Sequence, residues 1–158
     1  MSIRVAVLLP VYIGDTAKFL SVSIRSLLRQ TQKVEIFLIK DGPVCSSVES
    51  IIEKYSACLN VITIESNVGL ARALNVAINQ IPLSRFDFIA RMDADDFSVK
   101  NRISHQINYM QKKGLDVCGS NYIMFNDINR ARIPVKMPLN HSDMLKSILL
   151  MSPVCHPS

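Results

Sequence analysis

The run Phe88-Ile89-Ala90-Arg91-Met92-Asp93-Ala94-Asp95-Asp96-Phe97 is an apolar stretch that ends abruptly in three carboxylates. Three acids packed together repel one another, and burying any of them is costly unless positive charge sits among them. A divalent cation is the favoured partner. Alternation in a strand sets Asp93 and Asp95 on the same side, within reach of one ion or one ligand. Oxygen donors suit Mg or Mn, which keep positions open for water or phosphate. The plainer reading makes Asp95 or Asp96 the cap of a following helix, accepting from free backbone N–H groups. For an isolated Asp-x-Asp that plainer role is favoured, and companion motifs elsewhere in the chain reverse the balance.

Those motifs depend on the elements that carry them. Residues 4–9 are a short apolar run stopped by Pro10, read as a buried strand. Leu20, Ile24, Leu27 and Leu28 then repeat at helical spacing after Asp15-Thr16, which can cap the helix. Residues 34–40 form a second strand, ended by Asp41-Gly42-Pro43, and Val48, Ile51, Ile52 and Tyr55 the face of a second helix with Ser46 or Ser47 as its cap. A third strand at 61–64 precedes the stripe Leu70, Ala73, Leu74, Ala77, Ile78 and Ile81, and a fourth strand covers 87–92. The order β-α-β-α-β-α-β implies right-handed crossovers and a mostly parallel sheet with helices on both faces. In such α/β sheets ligands bind beyond the carboxyl ends of the strands. That rule makes Pro10-Val11-Tyr12, Asp41-Gly42 and Asp93-Ala94-Asp95 three lips of one site.

Further on, Ile103, Ile107 and Met110 suggest a helix ending near Gly114, followed by strands at 117–119 and 122–125. A last helix is read at 142–151, with Met144, Leu145, Ile148 and Leu149 facing inward.

With 158 residues, 49% of them apolar, and no repeat, low-complexity tract or linker, residues 1–158 read as one globular unit. Cys45, Cys58, Cys118 and Cys155 show no C-x-x-C pairing and no zinc-like spacing with His105, His141 or His156, so reduced thiols in the cytoplasm fit best. The amino-terminal residues lack the apolar core of a signal peptide, and no stretch reaches the roughly 18 apolar residues of a membrane span. The net charge of +5 has a location. Lys and Arg balance Asp and Glu at ten each through Ser98, against eight and three from Val99 onward. Lys112, Lys113, Arg130, Arg132, Lys136 and Lys146 thus form a basic last third suited to peripheral contact with an anionic membrane or an acidic acceptor. A solvated basic surface is an equal reading. Nucleic acid is disfavoured, because no aromatic ladder or helix-turn-helix pattern interleaves with these charges.

In this order and spacing the motifs resemble the amino-terminal part of a family 2 glycosyltransferase of the GT-A fold, of the kind that builds bacterial surface polysaccharides. The matching stretches are Leu8-Leu9-Pro10-Val11-Tyr12, Ser26-Leu27-Leu28-Arg29-Gln30-Thr31, Ile39-Lys40-Asp41-Gly42, Asn67-Val68-Gly69-Leu70-Ala71-Arg72-Ala73-Leu74-Asn75 and Met92-Asp93-Ala94-Asp95-Asp96. The last residues, with Pro153, His156, Pro157 and Ser158, resemble the Pro-x-x-His-Pro-Ser segment found late in many such enzymes. Two positions depart from the pattern: Ile13 stands where Asn is usual, and Lys40 where an acid usually precedes Asp41.

The resemblance implies a role for each motif. Tyr12 packs against a nucleobase, with Pro10 and Val11 shaping the pocket edge, and Asp41 accepts the uracil N–H, favouring UDP. The plainer roles are a strand-end aromatic and a turn carboxylate before Gly42-Pro43. Arg72, at a helix start, is expected near the nucleotide, where a guanidinium stacks and forms forked hydrogen bonds; otherwise it is a surface ion pair. Asp93 is expected to hold ribose or the metal's water shell, Ala94 to line the site, and Asp95 to ligate the Mg or Mn that bridges two phosphates. The metal would act as a Lewis acid on the departing diphosphate.

Inverting transfer also needs a base for the acceptor hydroxyl, and the family places that carboxylate in a downstream acidic motif. Nothing after Asp143 is acidic, Asp116, Asp127 and Asp143 suit surface or capping roles, and His156, the nearest titratable candidate, suits a structural role or a peripheral substrate contact better than that of a base. No catalytic residue is therefore assigned within the chain. It reads as a donor-binding half truncated at its carboxyl end, with the base expected beyond Ser158 and apolar residues such as Leu149, Leu150 and Met151 left exposed and prone to self-association. The partners expected are a UDP-sugar and a glycan or lipid-linked acceptor at the inner face of the plasma membrane. The alternative is a non-catalytic nucleotide-sugar-binding module. A nucleotidyltransferase or dinucleotide-binding enzyme fits less well, since no G-x-G-x-x-G follows the first strand.

Overall fold

A computed structural model describes residues 3–126 and 131–149 together with Ser152 and Cys155. Four parallel strands, β1 (Val5–Val11), β2 (Val34–Asp41), β3 (Leu59–Ile64) and β4 (Phe88–Arg91), form a sheet in the order β3-β2-β1-β4. The chain steps from β1 outward through β2 to β3, then returns to place β4 on the other side of β1. That reversal is a topological switch, and it opens a crevice at the carboxyl ends of β1 and β4.

Strand alternation divides the core. Val5, Val7, Leu9 and Val11 of β1, with Ile36 and Leu38 of β2, meet Leu20, Ile24 and Leu27 of α1 (Ala17–Leu28), Val48 and Ile52 of α2 (Ser46–Lys54), and Ile103 and Ile107 of α4 (Arg102–Lys113). On the opposite face Ala6, Leu8, Phe37 and Ile39 meet Ala73 and Ala77 of α3 (Leu70–Gln80) and Ile81 beyond it. Helices therefore cover both faces, as the apolar periodicity predicts. Each fully buried Leu, Ile or Val contributes about 1.5–3 kcal/mol, so this two-sided core is what fixes the strand ends in space.

Several boundaries differ from the sequence reading. Pro10 does not stop β1, which runs to Val11 in register with Lys40. The carbonyl of Leu8 accepts from Met92 N–H on the β4 side, and Pro10 has the same parity, so its missing N–H points where β4 has already ended. Thr16 caps α1 through the Phe19 amide, whereas α2 starts after Cys45, with no side-chain cap, rather than after Ser46 or Ser47. Leu28 is exposed, because α1's inward stripe is complete without it. Gly114 ends α4 in the left-handed conformation, φ 61°, that glycine tolerates best.

The last third departs most. No strand forms at 117–119, and β5 (Tyr122–Phe125) instead pairs antiparallel with β6 (Arg132–Val135), separate from the main sheet. The last helix, α5 (His141–Ser147), is shorter than expected, and Leu145, Ile148 and Leu149 are exposed rather than inward. Of the basic residues, Arg132 and Lys136 are exposed and Lys146 pairs with Asp143, while Arg130 lies outside the described residues, as do Leu150, Met151 and His156. Among the described residues no helix is long and apolar enough to cross a membrane.

Candidate functional site

Asp41 closes β2 and is almost wholly buried, at 4% exposure. Its two carboxylate oxygens accept the backbone N–H groups of Val68, at 2.8 Å, and Gly69, at 3.0 Å, and its carbonyl accepts from Asn67 Nδ2 at 3.3 Å. Gly42 supports this clamp: at φ 83° it lies so close to Asn67 that an added Cβ would sit 2.6 Å from the Asn67 nitrogen. The second lip is thereby tied to the loop that starts α3.

At the first lip, Asp15 does what no motif announces. Its Oδ2 accepts the Tyr12 N–H at 2.8 Å while its own N–H donates to the Tyr12 carbonyl at 3.1 Å, folding 12–15 into a tight turn. The Tyr12 ring lies across Gly14, where an added Cβ would meet the ring at 2.5 Å. Tyr12 is half exposed, which leaves part of its ring surface open to the solvent side of the cleft.

The third lip is a turn rather than the end of a strand. β4 stops at Arg91, and Asp96 N–H donates to the Asp93 carbonyl at 3.3 Å. The relative placement of Asp93 and Asp95 therefore follows from the turn, not from pleat alternation. Part of the positive charge that the three acids require comes from within: Arg91 Nη2 donates to Asp93 Oδ1 at 2.7 Å. The surroundings nevertheless stay acidic. Burial pushes the Asp15 carboxyl up; the Tyr12 N–H pulls it down, and the charges of Asp95 and Asp93 add to the rise. Burial first, and then Asp95 and Asp93, push Asp96 up to about 6 against the opposing pull of Arg102.

The three lips meet. A cleft of about 360 Å3 is lined by Pro10, Val11 and Tyr12, by Asp41, and by Asp93, Ala94 and Asp95, together with Asp15, Asn67, Gly69 and Leu70. Seven of the eight predicted site residues are thus brought together by the switch in strand order. Arg72 is the exception: it is exposed on the first turn of α3 and is not part of the lining. Asp15, Asn67, Gly69 and Leu70 escaped the sequence reading as lining residues, although Asn67, Gly69 and Leu70 belong to a motif already quoted. Lys40 is held by Glu49 at 3.1 Å and does not line the cleft, so the unusual residue before Asp41 leaves the lining unchanged. A second hollow, of about 400 Å3, shares no residue with this one; His105, Tyr109, Cys118, Met137 and Leu139 are among its walls.

Among the described residues no three His, Cys, Asp or Glu side chains converge into a self-sufficient metal cage. The site has the other arrangement that suits Mg or Mn. One or two carboxylates stand at the mouth of an acidic cleft, leaving most coordination positions for water and phosphate oxygens. Asp95 is exposed and Asp93 already shares Oδ1 with Arg91, so Asp95 is the better placed of the two to bind an ion directly.

The raised Asp96 has a consequence for stability. An unfolded Asp96 loses its proton near 3.8 and the folded one near 6, so the native state binds more protons between these values. Its contribution to stability is full below about pH 4 and is lost as pH rises to about 6. After allowance for solvent screening, Asp96→Asn is expected to stabilise the protein by about 1 kcal/mol at pH 7 and to flatten this part of the profile. Urea midpoints at pH 4.5 and 7 measure it, and an unchanged slope would assign the acid dependence to other groups.

The glycosyl transferase family 2 model matches residues 6–157. The chain belongs to this family. Over 161 residues it is 33% identical to the UDP-Gal:alpha-D-GlcNAc-diphosphoundecaprenol beta-1,3-galactosyltransferase of Escherichia coli, covering 98% of this chain and 57% of that one. It is 28% identical to the amylovoran biosynthesis glycosyltransferase AmsE of Erwinia amylovora, covering 96% of this chain and 57% of that one. The family 2 chain therefore spans little more than half the length of these relatives. Its fold is the GT-A fold: S. aureus TarS 1–349, solved in complex with UDP, superposes with a TM-score of 0.61 at 20% identity over 84% of this chain and 38% of that one.

Proposed function

We propose that this chain is the donor-binding part of an inverting family 2 glycosyltransferase, of hexosyltransferase type, that moves a sugar from a UDP-sugar to a growing polysaccharide or lipid-linked glycan. The observation that carries the reading is the meeting of Tyr12, Asp41 and the 93–95 turn in one cleft at the switch point. The relatives agree in chemistry: one is named for UDP-galactose and a diphosphoundecaprenol acceptor, and TarS is solved with UDP and with UDP-GlcNAc.

In this reading the Tyr12 ring stacks on the nucleobase and Asp41 accepts the uracil N3–H with a lone pair not engaged by Val68 or Gly69. Asp93 serves the ribose or the ion's water shell, and Asp95 holds a Mg or Mn ion against the diphosphate. When bound, that ion supplies Lewis-acid stabilisation of the charge that grows on the departing UDP. Arg72, exposed on the first turn of α3 two residues after the lining residue Leu70, is assigned an outer role beside the nucleotide. The base that deprotonates the acceptor belongs to sequence that the relatives have and this chain does not cover. Asp143 is engaged in capping α5, where it exchanges hydrogen bonds with Asn140, so it is not that base. The setting proposed is the cytoplasmic face of the membrane, with Lys112, Lys113, Arg132 and Lys136 toward anionic lipid or a lipid-linked acceptor.

Base selection tests the reading. Cytosine N3 is an acceptor and would face the Asp41 carboxylate without a proton between them, a mismatch of about 1–3 kcal/mol. UDP is therefore expected to bind at least fivefold more tightly than CDP in competition calorimetry with Mn2+ present. Equal competition by CDP would remove Asp41 from the base pocket.

A further inference from the structure

Behind the acidic turn lies a group of polar side chains buried where apolar ones would be expected. Ser23 and Ser26 of α1 are 0% and 2% exposed, and Ser98 and Arg102 are 3% and 8% exposed. Apolar Leu20, Ile24 and Leu27 already dock α1 on the sheet, so these polar groups are not needed for that purpose. Buried hydroxyl and guanidinium groups persist only where their hydrogen bonds are made, and here the bonds converge on the two ends of the turn.

Ser23 Oγ donates to the Asp93 carbonyl at 3.1 Å, and both terminal nitrogens of Arg102 donate to the Arg91 carbonyl, at 3.2 and 3.3 Å. On the exit side, Ser98 N–H donates to Ser26 Oγ at 3.0 Å, while Ser98 Oγ accepts from Arg102 Nε at 2.8 Å and from Gln30 Nε2 at 3.0 Å. Gln30 completes the frame by accepting the Ile103 N–H at 3.3 Å and donating to the Val99 carbonyl at 2.8 Å. None of these five side chains lines the cleft.

We infer that Ser23, Ser26, Gln30, Ser98 and Arg102 are positioning residues: a buried bracket that fixes the 93–96 turn so that its carboxylates meet the metal and diphosphate end of the cleft. The inference rests on the donor-site reading of that cleft for its ligand, and on the hydrogen bonds alone for the turn. Ser23 is the member to test, because its hydroxyl makes one direct bond to the turn and Ser23→Ala removes little else. Ser23→Thr and Ser23→Val form a matched pair of equal shape that differ in the hydroxyl.

UDP is titrated calorimetrically into the 158-residue chain in Mn2+ and again in EDTA, and amide hydrogen exchange is followed without ligand. Ser23→Ala and Ser23→Val are expected to lose three- to tenfold in UDP affinity in Mn2+ and less than twofold in EDTA, with Ser23→Thr close to the parent. Exchange at 94–96 should quicken in the first two variants, with β1 and β2 amides unchanged. Equal losses in both media, or turn amides exchanging at the parental rate, would overturn the bracket. If the parent itself fails to bind UDP, the donor reading falls. Exchange at 94–96 then decides the bracket: faster in Ser23→Ala and Ser23→Val but not in Ser23→Thr upholds it, and parental rates overturn it.

Discussion

Replacing Asp95 by Asn is expected to weaken UDP binding in Mn2+ by about a hundredfold while leaving the fold intact. Asp95 is exposed on its turn, and the bonds that shape the turn run through the backbone of Asp93 and the Arg91–Asp93 ion pair, so the substitution removes no structural contact. What it removes is a negative oxygen donor at the point where an acidic cleft must accept an acidic diphosphate. Without a cation, UDP meets Asp93, Asp95 and Asp15 around the same cavity, and like charges at such distances repel. Outer-sphere partners of a metal are worth about 10–100-fold in affinity, and a direct ligand belongs at the upper end of that range or above. The measurement is a UDP titration of parent and variant, each in Mn2+ and in EDTA. The four affinities should collapse to one strong and three weak values. Equal affinity for parent and variant in Mn2+ would sink the metal assignment at Asp95.

Asp41→Ala is expected to act on both stability and binding. The carboxylate accepts two backbone N–H groups of the loop entering α3, at 2.8 and 3.0 Å, and charged acceptors make these bonds stronger than neutral ones. Truncation leaves both amides without that acceptor in a part-buried setting, a loss of about 2 kcal/mol or more. It also removes the proposed uracil acceptor and releases Asn67, Gly69 and Leu70, which line the same cleft. The urea midpoint should fall, and UDP affinity should drop more than tenfold even in EDTA, which distinguishes this variant from Asp95→Asn. A variant with parental stability would show that the clamp does not hold the loop, and one with parental UDP affinity would move the base pocket elsewhere.

Sequence alone determined the parallel α/β sheet, because that result depends on period and order, which are local. The switch from period-2 strands to period-3.6 helices is visible in residues such as Val7 and Leu9 against Leu20, Ile24 and Leu27, and strand-helix alternation leaves few topologies. That seven of the eight proposed site residues would meet in one cleft was legible for the same reason: they lie at or just beyond strand ends, which such a sheet brings together. The tertiary structure decided whatever depends on what comes near in space. That Asp93 has a guanidinium partner follows from where β4 ends, and period-2 alternation had no means of showing that the strand ends at Arg91, two residues before Asp93. Asp15 reads as a helix-cap candidate in sequence, and only the fold brings it to the cleft beside Asp93 and Asp95. Arg72 illustrates the converse, since its place in a motif groups it with the cleft residues, whereas in the fold it is exposed on α3 outside the lining. The last third was hardest to read, because among the described residues β5 and β6 form a sheet of their own and no residue of β5, β6 or α5 belongs to the core clusters of the main sheet. An apolar residue such as Leu149, 87% exposed, carries the same letter whether or not a partner surface covers it, so hydropathy alone could not tell inward from outward.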